Sequence, residues 1–458
     1  MTRPNLLTPD PTRAAQPTSV SWREALKFWF WLGCMSFGGP AGQIALMHEE
    51  LVVRRRWISE KRYLHALHYC MLLPGPEAQQ LATYTGWLMH GTRGGLAAGA
   101  LFVMPSLLLL IVLSWAYTAW GQHPWGQALL WGLKPAVTAL VLQAAHRLAL
   151  RTLKTRWLWA LAVLSLLGML WGLPFALIIA GAAATGYYMS RQASTAPHKH
   201  ETPVPMPGKS ATDTPEHPPA WLDDDTPAPA HTHYSHPRLV RALALGVGLW
   251  ALGLGLIALT FGLGHTLTHM GGFFTQAALL TFGGAYAVLP FVTQAAVVQY
   301  GWLTAAQMMD GLALGESTPG PLIMVVAFVG FLGGHSQALF GHPVLGGIVA
   351  ACVVTWFTFL PSFVFILAGG PLVESTRHMP SLAGPLQGIM AAVIGVIVHL
   401  AGVFARQTWL PGGWHMLPDL GALALTVLAT WLLIRKQLSV FKLLGLCTVL
   451  GLVWQLVV

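Results

Sequence analysis

Ser36-Phe37-Gly38-Gly39-Pro40 followed by Pro74-Gly75-Pro76 returns as Thr281-Phe282-Gly283-Gly284 followed by Pro319-Gly320-Pro321, and a single offset of 245 residues carries both motifs. A second offset, 256, carries Pro105-Ser106 onto Pro361-Ser362, and Gly132 with Ala136-Val137 onto Gly388 with Ala392-Val393. The chain is a duplication, with eleven residues of insertion separating the two offsets. Glycine and proline interrupt both copies at matching places. In an apolar chain, such paired interruptions point to a transporter whose binding site lies at the repeat interface.

The composition agrees. Of 458 residues, 55% are hydrophobic and 9% charged, with mean hydropathy +0.59; an ordinary soluble domain has about 25% charged residues. Apolar stretches of about 20 residues, such as Leu96 to Ala119, Leu239 to Leu263 and Leu345 to Ala368, are long enough to cross a bilayer. The first 20 residues are polar, lack the apolar core of a cleaved signal and are expected to be a disordered tail. A net charge of +9 would suggest nucleic acid in a soluble protein. Here the basic residues cluster in short loops, as the positive-inside rule requires, so no nucleic-acid partner is expected. Cys34, Cys70, Cys352 and Cys447 lie singly in apolar segments, so neither a disulfide framework nor a metal or cofactor is expected.

Charge also orients the copies. The loop after the first Gly-Gly motif carries Arg54, Arg55, Arg56, Lys61 and Arg62, whereas its counterpart, Thr293 to Gln307, has no Lys or Arg. Arg147, Arg151, Lys154 and Arg156 face a counterpart, Val403 to Leu417, with Arg406 alone. The first pair of loops therefore belongs in the cytoplasm and the second pair outside. The expected organisation is an N-terminal tail (1–20), a first repeat (21–191), a disordered cytoplasmic linker rich in Pro and His with Asp223-Asp224-Asp225 (192–237), a connecting transmembrane helix (238–264) and a second, inverted repeat (265–458). Parity of crossings places both basic loops inside only if Phe28 to Met47 and Leu64 to His90 are re-entrant, turning at Phe37-Gly38-Gly39-Pro40 and Pro74-Gly75-Pro76. A kinked, continuous helix is the alternative reading. The expected fold is thus an all-α polytopic membrane protein of two inverted-topology repeats whose broken or re-entrant helices meet near the bilayer midplane.

Irregular backbone at that depth is tolerated only where protein or a polar cavity surrounds it. Helix starts after Pro76 and Pro321 direct unpaired N–H groups and the positive dipole end toward the turn, an arrangement that attracts anions. Ser36, Gln43, Gln79, Gln80, Thr83, Thr281, Ser317 and Thr318 add hydroxyl and amide donors. For each of these, a bond to its own helix backbone is the competing reading. Ionisable residues at membrane depth carry more meaning. Glu77 and Glu316 are candidates for proton coupling and Lys134 for anion contact; helix capping by Glu77 and snorkelling by Lys134 are the structural alternatives. Asp310 reads as a boundary residue. Arg54, Arg55 and Arg56 either fix topology or draw anions to a cytoplasmic vestibule. His65 and His68 lie one turn apart without a third ligand.

SFGGPAGQIALMHEELV at Ser36 to Val52, LLPGPEAQQLATYTGW at Leu72 to Trp87, LKPAV at Leu133 to Val137, LTFGGAYAVLP at Leu280 to Pro290 and GESTPGPLIMVVAFVGF at Gly315 to Phe331 resemble the chromate ion transporters in their long, two-domain form. The resemblance covers nearly the whole chain outside the tails and linker. It implies export of chromate across the cell's inner membrane, chromate resistance, and sulfate as competitor. A homodimer is left open, and the linker is not a hallmark of that family. A sulfate or other oxyanion carrier is the first alternative. An intramembrane enzyme ranks lower, because no nucleophile and base pair up near the breaks.

Overall fold

The computed structural model describes residues 19–37, 39–121, 123–195, 220–224, 226, 229–282, 284–375, 383–410 and 419–457. Gly38, Gly283, residues 1–18 of the expected tail and 196–219 of the expected linker lie outside them. Every named element is a helix; one isolated parallel bridge pairs Ile58 with Leu222.

In the first half, α1 (Trp22–Met35) starts at Ser21, whose hydroxyl accepts from Glu24 N–H, and stops before the glycine pair. α2 (Gly39–His48) runs on into a π-helical turn, Glu49–Arg54. α3 (Glu60–Leu72) begins at the N-cap Ser59 and ends where Pro74-Gly75-Pro76 removes helix-compatible backbone. α4 (Glu77–Trp120) follows, with non-helical backbone at His90 and Gly91. Then come α5 (Pro124–Thr152), α6 (Arg156–Leu170) and α7 (Phe175–Thr195). After α8 (His236–Phe261) the order repeats as α9 (Thr266–Leu279), α10 (Ala285–Thr293), a π-helical turn Gln294–Gln299, and α11 (Ala305–Ser317). A short 3-10 turn, Leu322–Met324, leads to α12 (Val325–Ser336), followed by α13 (Pro343–Ser375), α14 (Ala383–Trp409), α15 (Leu420–Arg435) and α16 (Val440–Val457). The duplication reaches the caps: Thr304, the counterpart of Ser59, closes a capping box with Gln307 at the start of α11.

Five described helices are long and apolar enough to cross a membrane: Glu77–Trp120, Pro124–Thr152, His236–Phe261, Pro343–Leu372 and Gly384–Trp409. The protein is a multi-pass membrane protein. The helices flanking the breaks are shorter. At about 1.5 Å per residue α1 and α3 reach about 20 Å, less than the ~30 Å of a hydrocarbon core.

The halves interlock. α5 packs between α15 and α16, and α14 packs against α6 and α7. The repeated glycines explain how closely: a Cβ on Gly132 would meet the Cys447 carbonyl and stand 3.1 Å from Gly451 Cα, and one on Gly388 would meet the Ala182 carbonyl and stand 3.1 Å from Gly186 Cα. Small residues at both crossings let backbones touch where lipid offers no hydrophobic drive to association.

Corresponding pieces of the two halves gather at opposite ends of α8. Next to its start, His231 reaches the Trp87 carbonyl at 2.8 Å, His90 packs on Trp22 and Trp221, and Trp221 N–H donates to the Arg56 carbonyl. Next to its end, Phe261 packs on His265 and Phe340, and Thr266 bonds Gln337. The expectation of a disordered linker over 192–237 needs correction where that span is described. α7 continues to Thr195, and Leu222 is buried in the core around Trp57 and Ile58. There apolar side chains bury and the backbone pairs, stabilisation that the polar composition of the whole span conceals.

Gly75 (φ +122°) and Gly320 (φ +107°) adopt backbone reserved for glycine, and Gly320 also has the Ser106 side chain where a Cβ would go. Gly39 (φ +68°) has open space instead. Gly39→Ala should lose about 1–2 kcal/mol of stability from backbone strain alone, and Gly320→Ala a further ~1–3 kcal/mol from overpacking. Thermal unfolding in detergent checks this; equal losses would contradict the packing described.

Candidate functional site

The four breaks meet in two reciprocal hydrogen bonds. Gly75 N–H donates to the Thr281 carbonyl at 2.8 Å, and Gly320 N–H donates to the Ser36 carbonyl at 2.7 Å. Each Pro-Gly-Pro turn is therefore held by the Phe-Gly-Gly break of the other repeat. Behind each glycine stands the serine of the repeated Pro-Ser pair. A Cβ on Gly75 would lie 2.5 Å from Ser362 Oγ, and one on Gly320 would lie 2.7 Å from Ser106 Oγ. The sequence displayed Ser106 and Ser362 as repeat landmarks, but nothing in it placed them at the breaks.

Most expected donors are already engaged. The hydroxyls of Thr83, Thr281, Ser317 and Thr318 donate to carbonyls of their own helices, those of Gln79, Ala277, Ala313 and Gly315. Gln79 donates to Thr83 Oγ1 at 2.9 Å, and Gln80 donates to the Pro74 carbonyl at 2.7 Å and to Ser362 Oγ at 3.3 Å. Gln43 donates to the Ser36 carbonyl at 3.4 Å and also to that of Gly320. After these bonds, Ser36 Oγ, Ser106 Oγ and the amide oxygens of Gln43, Gln79 and Gln80 are buried without a partner. All five side chains are inaccessible to solvent. Orphaned buried polar atoms are rare and call for an explanation.

These five unpartnered groups all come from the first repeat. At the 245-residue offset, Gln43, Gln79, Gln80 and Thr83 face Val288, Met324, Val325 and Phe328, and Glu77 faces Leu322. The backbone frame is two-fold, but its chemistry is one-sided. Glu77 opens α4, half-buried, on the turn whose first N–H groups have no helical partner. Glu316 is buried at the other end of a helix, α11, and accepts from the Tyr286 hydroxyl. Tyr286 carried no signal in the sequence. Its counterpart is Ala41.

Lys134 does not approach either glutamate in this arrangement. It pairs with Asp310 at 3.5 Å, and Tyr117 donates to the other Asp310 oxygen at 2.9 Å. Asp310, expected at the membrane boundary, is buried in the protein with 4% of its surface exposed. A carboxylate with one charged and one hydroxyl partner can stay buried where an isolated one could not. This pair ties α5 of the first half to α11 of the second.

At the other proposed anion contact, Arg54 pairs with Glu49 and Glu50, and Arg55 pairs with Glu50 while stacking on Phe28 and Trp57. Arg56 lines a cavity of about 790 Å³ with Lys61, His65, His68, Asp223 and Asp224. Phe37 packs edge-on against Phe441, and Phe282 lies against the large core that both halves share. Gly39 and Gly284 supply positive φ at the heads of α2 and α10. Their neighbours Gly38 and Gly283 lie outside the described residues.

Comparison with known proteins gives the frame for this site. The family profile described as chromate transporter matches residues 23–187 and 268–452. The chain is 31% identical to the chromate transport protein of Pseudomonas aeruginosa over 88% of its length and 87% of the relative's. It is 28% identical to a probable chromate transport protein of Synechococcus elongatus (91% and 92% covered) and 26% identical to the chromate transport protein of Cupriavidus metallidurans (87% and 87%). No solved structure matches the chain.

Proposed function

The chain belongs to the chromate transporter family, and from that premise we propose that it exports a tetrahedral oxyanion, chromate, from the cytoplasm through the seam where the paired breaks meet. The observation that carries the reading is the reciprocal bonding of Gly75 to Thr281 and of Gly320 to Ser36. It brings the head of α4 and the turn before α12 to one interface, beside the unpartnered hydroxyls of Ser36 and Ser106. Helix N-termini and neutral hydroxyls suit an anion that must be released again, since conduction requires binding that is not too strong.

The two repeats are inverted, with re-entrant hairpins α1–α2, α3–α4, α9–α10 and α11–α12. Support comes from the matching parts that gather at opposite ends of the 26-residue α8, from the short helices flanking each break, and from the basic loop of Arg54 to Arg62, which lies against Trp221 and Thr226 on the side where α8 begins. The basic end is cytoplasmic. A cysteine at Arg93, just after the bend at His90 and Gly91, should then react with a membrane-impermeant reagent from the cytoplasmic side. Reaction from outside would sink the hairpin.

Each elementary charge carried across 100 mV is worth about 2.3 kcal/mol. An inside-negative potential of that size therefore drives a dianion outward with about 4.6 kcal/mol, enough for a gradient of about three powers of ten. Export needs no second ion. Glu77 and Glu316 remain the residues through which protons act, because protonation of a carboxyl beside the anion and binding of the anion favour one another. In everted vesicles, chromate should accumulate under an imposed potential alone, with sulfate as a weaker competitor. Glu77→Gln or Glu316→Gln should weaken the response to a pH gradient and spare potential-driven accumulation. Sulfate accumulation without chromate movement would overturn the assignment in favour of a sulfate carrier.

A further inference from the structure

We infer that the seam takes its oxyanion singly protonated, with Gln43 Oε1 accepting the oxyanion's own O–H, and that this is how chromate is told from sulfate. The inference rests on the export reading above and concerns which form of the substrate the site can satisfy.

The geometry converges on Gly320. Its N–H donates to the Ser36 carbonyl, its carbonyl accepts from Gln43, and Ser106 Oγ lies 2.7 Å from the place of its missing Cβ. The Gln43 amide points its NH₂ at two carbonyl oxygens, those of Ser36 and Gly320. A flipped amide would set oxygen against oxygen twice, so the orientation is fixed by its partners. Gln43 therefore has no donor left for an anion. What remains is an acceptor, Oε1, alongside two hydroxyls, Ser36 Oγ and Ser106 Oγ, and all three are buried and unpartnered. Gln80 repeats the pattern on α4: its NH₂ is spent on the Pro74 carbonyl and Ser362 Oγ, and its Oε1 is unpaired. Gln79 also keeps an unpaired Oε1, with one N–H on Thr83.

A fully deprotonated tetrahedral oxyanion offers acceptors only. It would accept from the hydroxyls and the head of α4, but leave the amide oxygens facing negative oxygen. A hydrogen-oxyanion presents both kinds of group: oxo oxygens for Ser36, Ser106 and the backbone N–H groups, and one O–H for Gln43. Sites built to bond a substrate hydroxyl reject analogues that lack it far more strongly than sites that discriminate by size, because their own buried groups are left unpaired. Hydrogen chromate is a weak acid that still holds its proton near neutral pH. Hydrogen sulfate and hydrogen selenate are far stronger acids and do not. Chromate and sulfate share charge and shape, so the proton is the difference a neutral site can read. The charge exported per anion is then one rather than the two of the dianion considered above, and the membrane potential drives export with half that force.

Several titratable groups stand on the elements around this point. They are Glu77 on α4, Glu316 with Tyr286 on α11 and α10, Lys134 with Asp310 on α5 and α11, His48 with Glu60 on α2 and α3, Glu374 with Tyr84 on α13 and α4, and Lys442 on α16. All of them are equally present when selenate, which is close to chromate in size and to sulfate in acidity, is offered. Selenate therefore separates protonation of the substrate from protonation of the protein.

The test is equilibrium binding of chromate, selenate and sulfate to the purified full-length protein in detergent across neutral pH. Chromate affinity should fall about tenfold per pH unit once hydrogen chromate has lost its proton, in step with the competent fraction. Selenate should bind at least ~100-fold more weakly than chromate near pH 6 and resemble sulfate. Gln43→Met should bring the chromate-to-selenate ratio toward one, whereas Ser106→Ala should weaken both anions together. Selenate binding as tightly as chromate, or chromate affinity flat with pH, would overturn the inference and leave the export reading standing. Chromate binding that requires sodium and is flat with pH would also overturn it, by assigning the amide oxygens to a cation. No chromate binding at any pH would remove the reading on which it rests.

Discussion

A backbone that breaks its helices inside a membrane must find partners for the N–H and C=O groups it frees, because lipid supplies none. Here each break is satisfied by its opposite number in the other repeat, Gly75 by Thr281 and Gly320 by Ser36. Much else follows from that constraint. Glycine is needed at 75 and 320 because a side chain would collide with Ser362 or Ser106. The half-chains have to interlock, as α5 does with α15 and α16, because neither repeat can complete its own breaks.

The duplication supplies a two-fold frame and then departs from it. The first copy carries Gln43, Gln79, Gln80, Thr83 and Glu77; the second carries Val288, Met324, Val325, Phe328 and Leu322 at the same places. Two copies with equal sets of polar groups would offer two equivalent sites. The unpartnered polar groups lie on the first copy alone, an asymmetry that suits a carrier whose ligand must be held from one side and released past the other. Charged groups around the seam are paired: Lys134 with Asp310 and Glu316 with Tyr286, while the exposed Arg54 and Arg55 pair with Glu49 and Glu50.

The frame was largely legible in the sequence. Repeated Gly and Pro positions dictate where helices break whatever surrounds them, and the charge contrast between Arg54 to Arg62 and its counterpart is a count of residues. The site was less legible. Ser36 and Thr281 occupy equivalent positions, yet Thr281 bonds its own helix and Ser36 does not, a difference set by packing. Gln43 reads as a donor until its two carbonyl partners are seen; with them it presents an acceptor. The partners of Asp310, Lys134 and Tyr117, left no local sign, because they lie far away in the chain and on the other repeat. Ser106 was visible only as half of a repeated dipeptide. Long-range polar pairing leaves no local pattern, and much of this site is made of it.

The most direct test of the account is to locate chromium, by its anomalous scattering, in crystals of the protein grown with chromate. The account predicts one peak at the seam, with the anion's oxygens within about 3 Å of Ser36 Oγ, Ser106 Oγ and Gln43 Oε1. A peak confined to the cavity beside Arg56 and Lys61, or seated on Lys134 in place of Asp310, would contradict it.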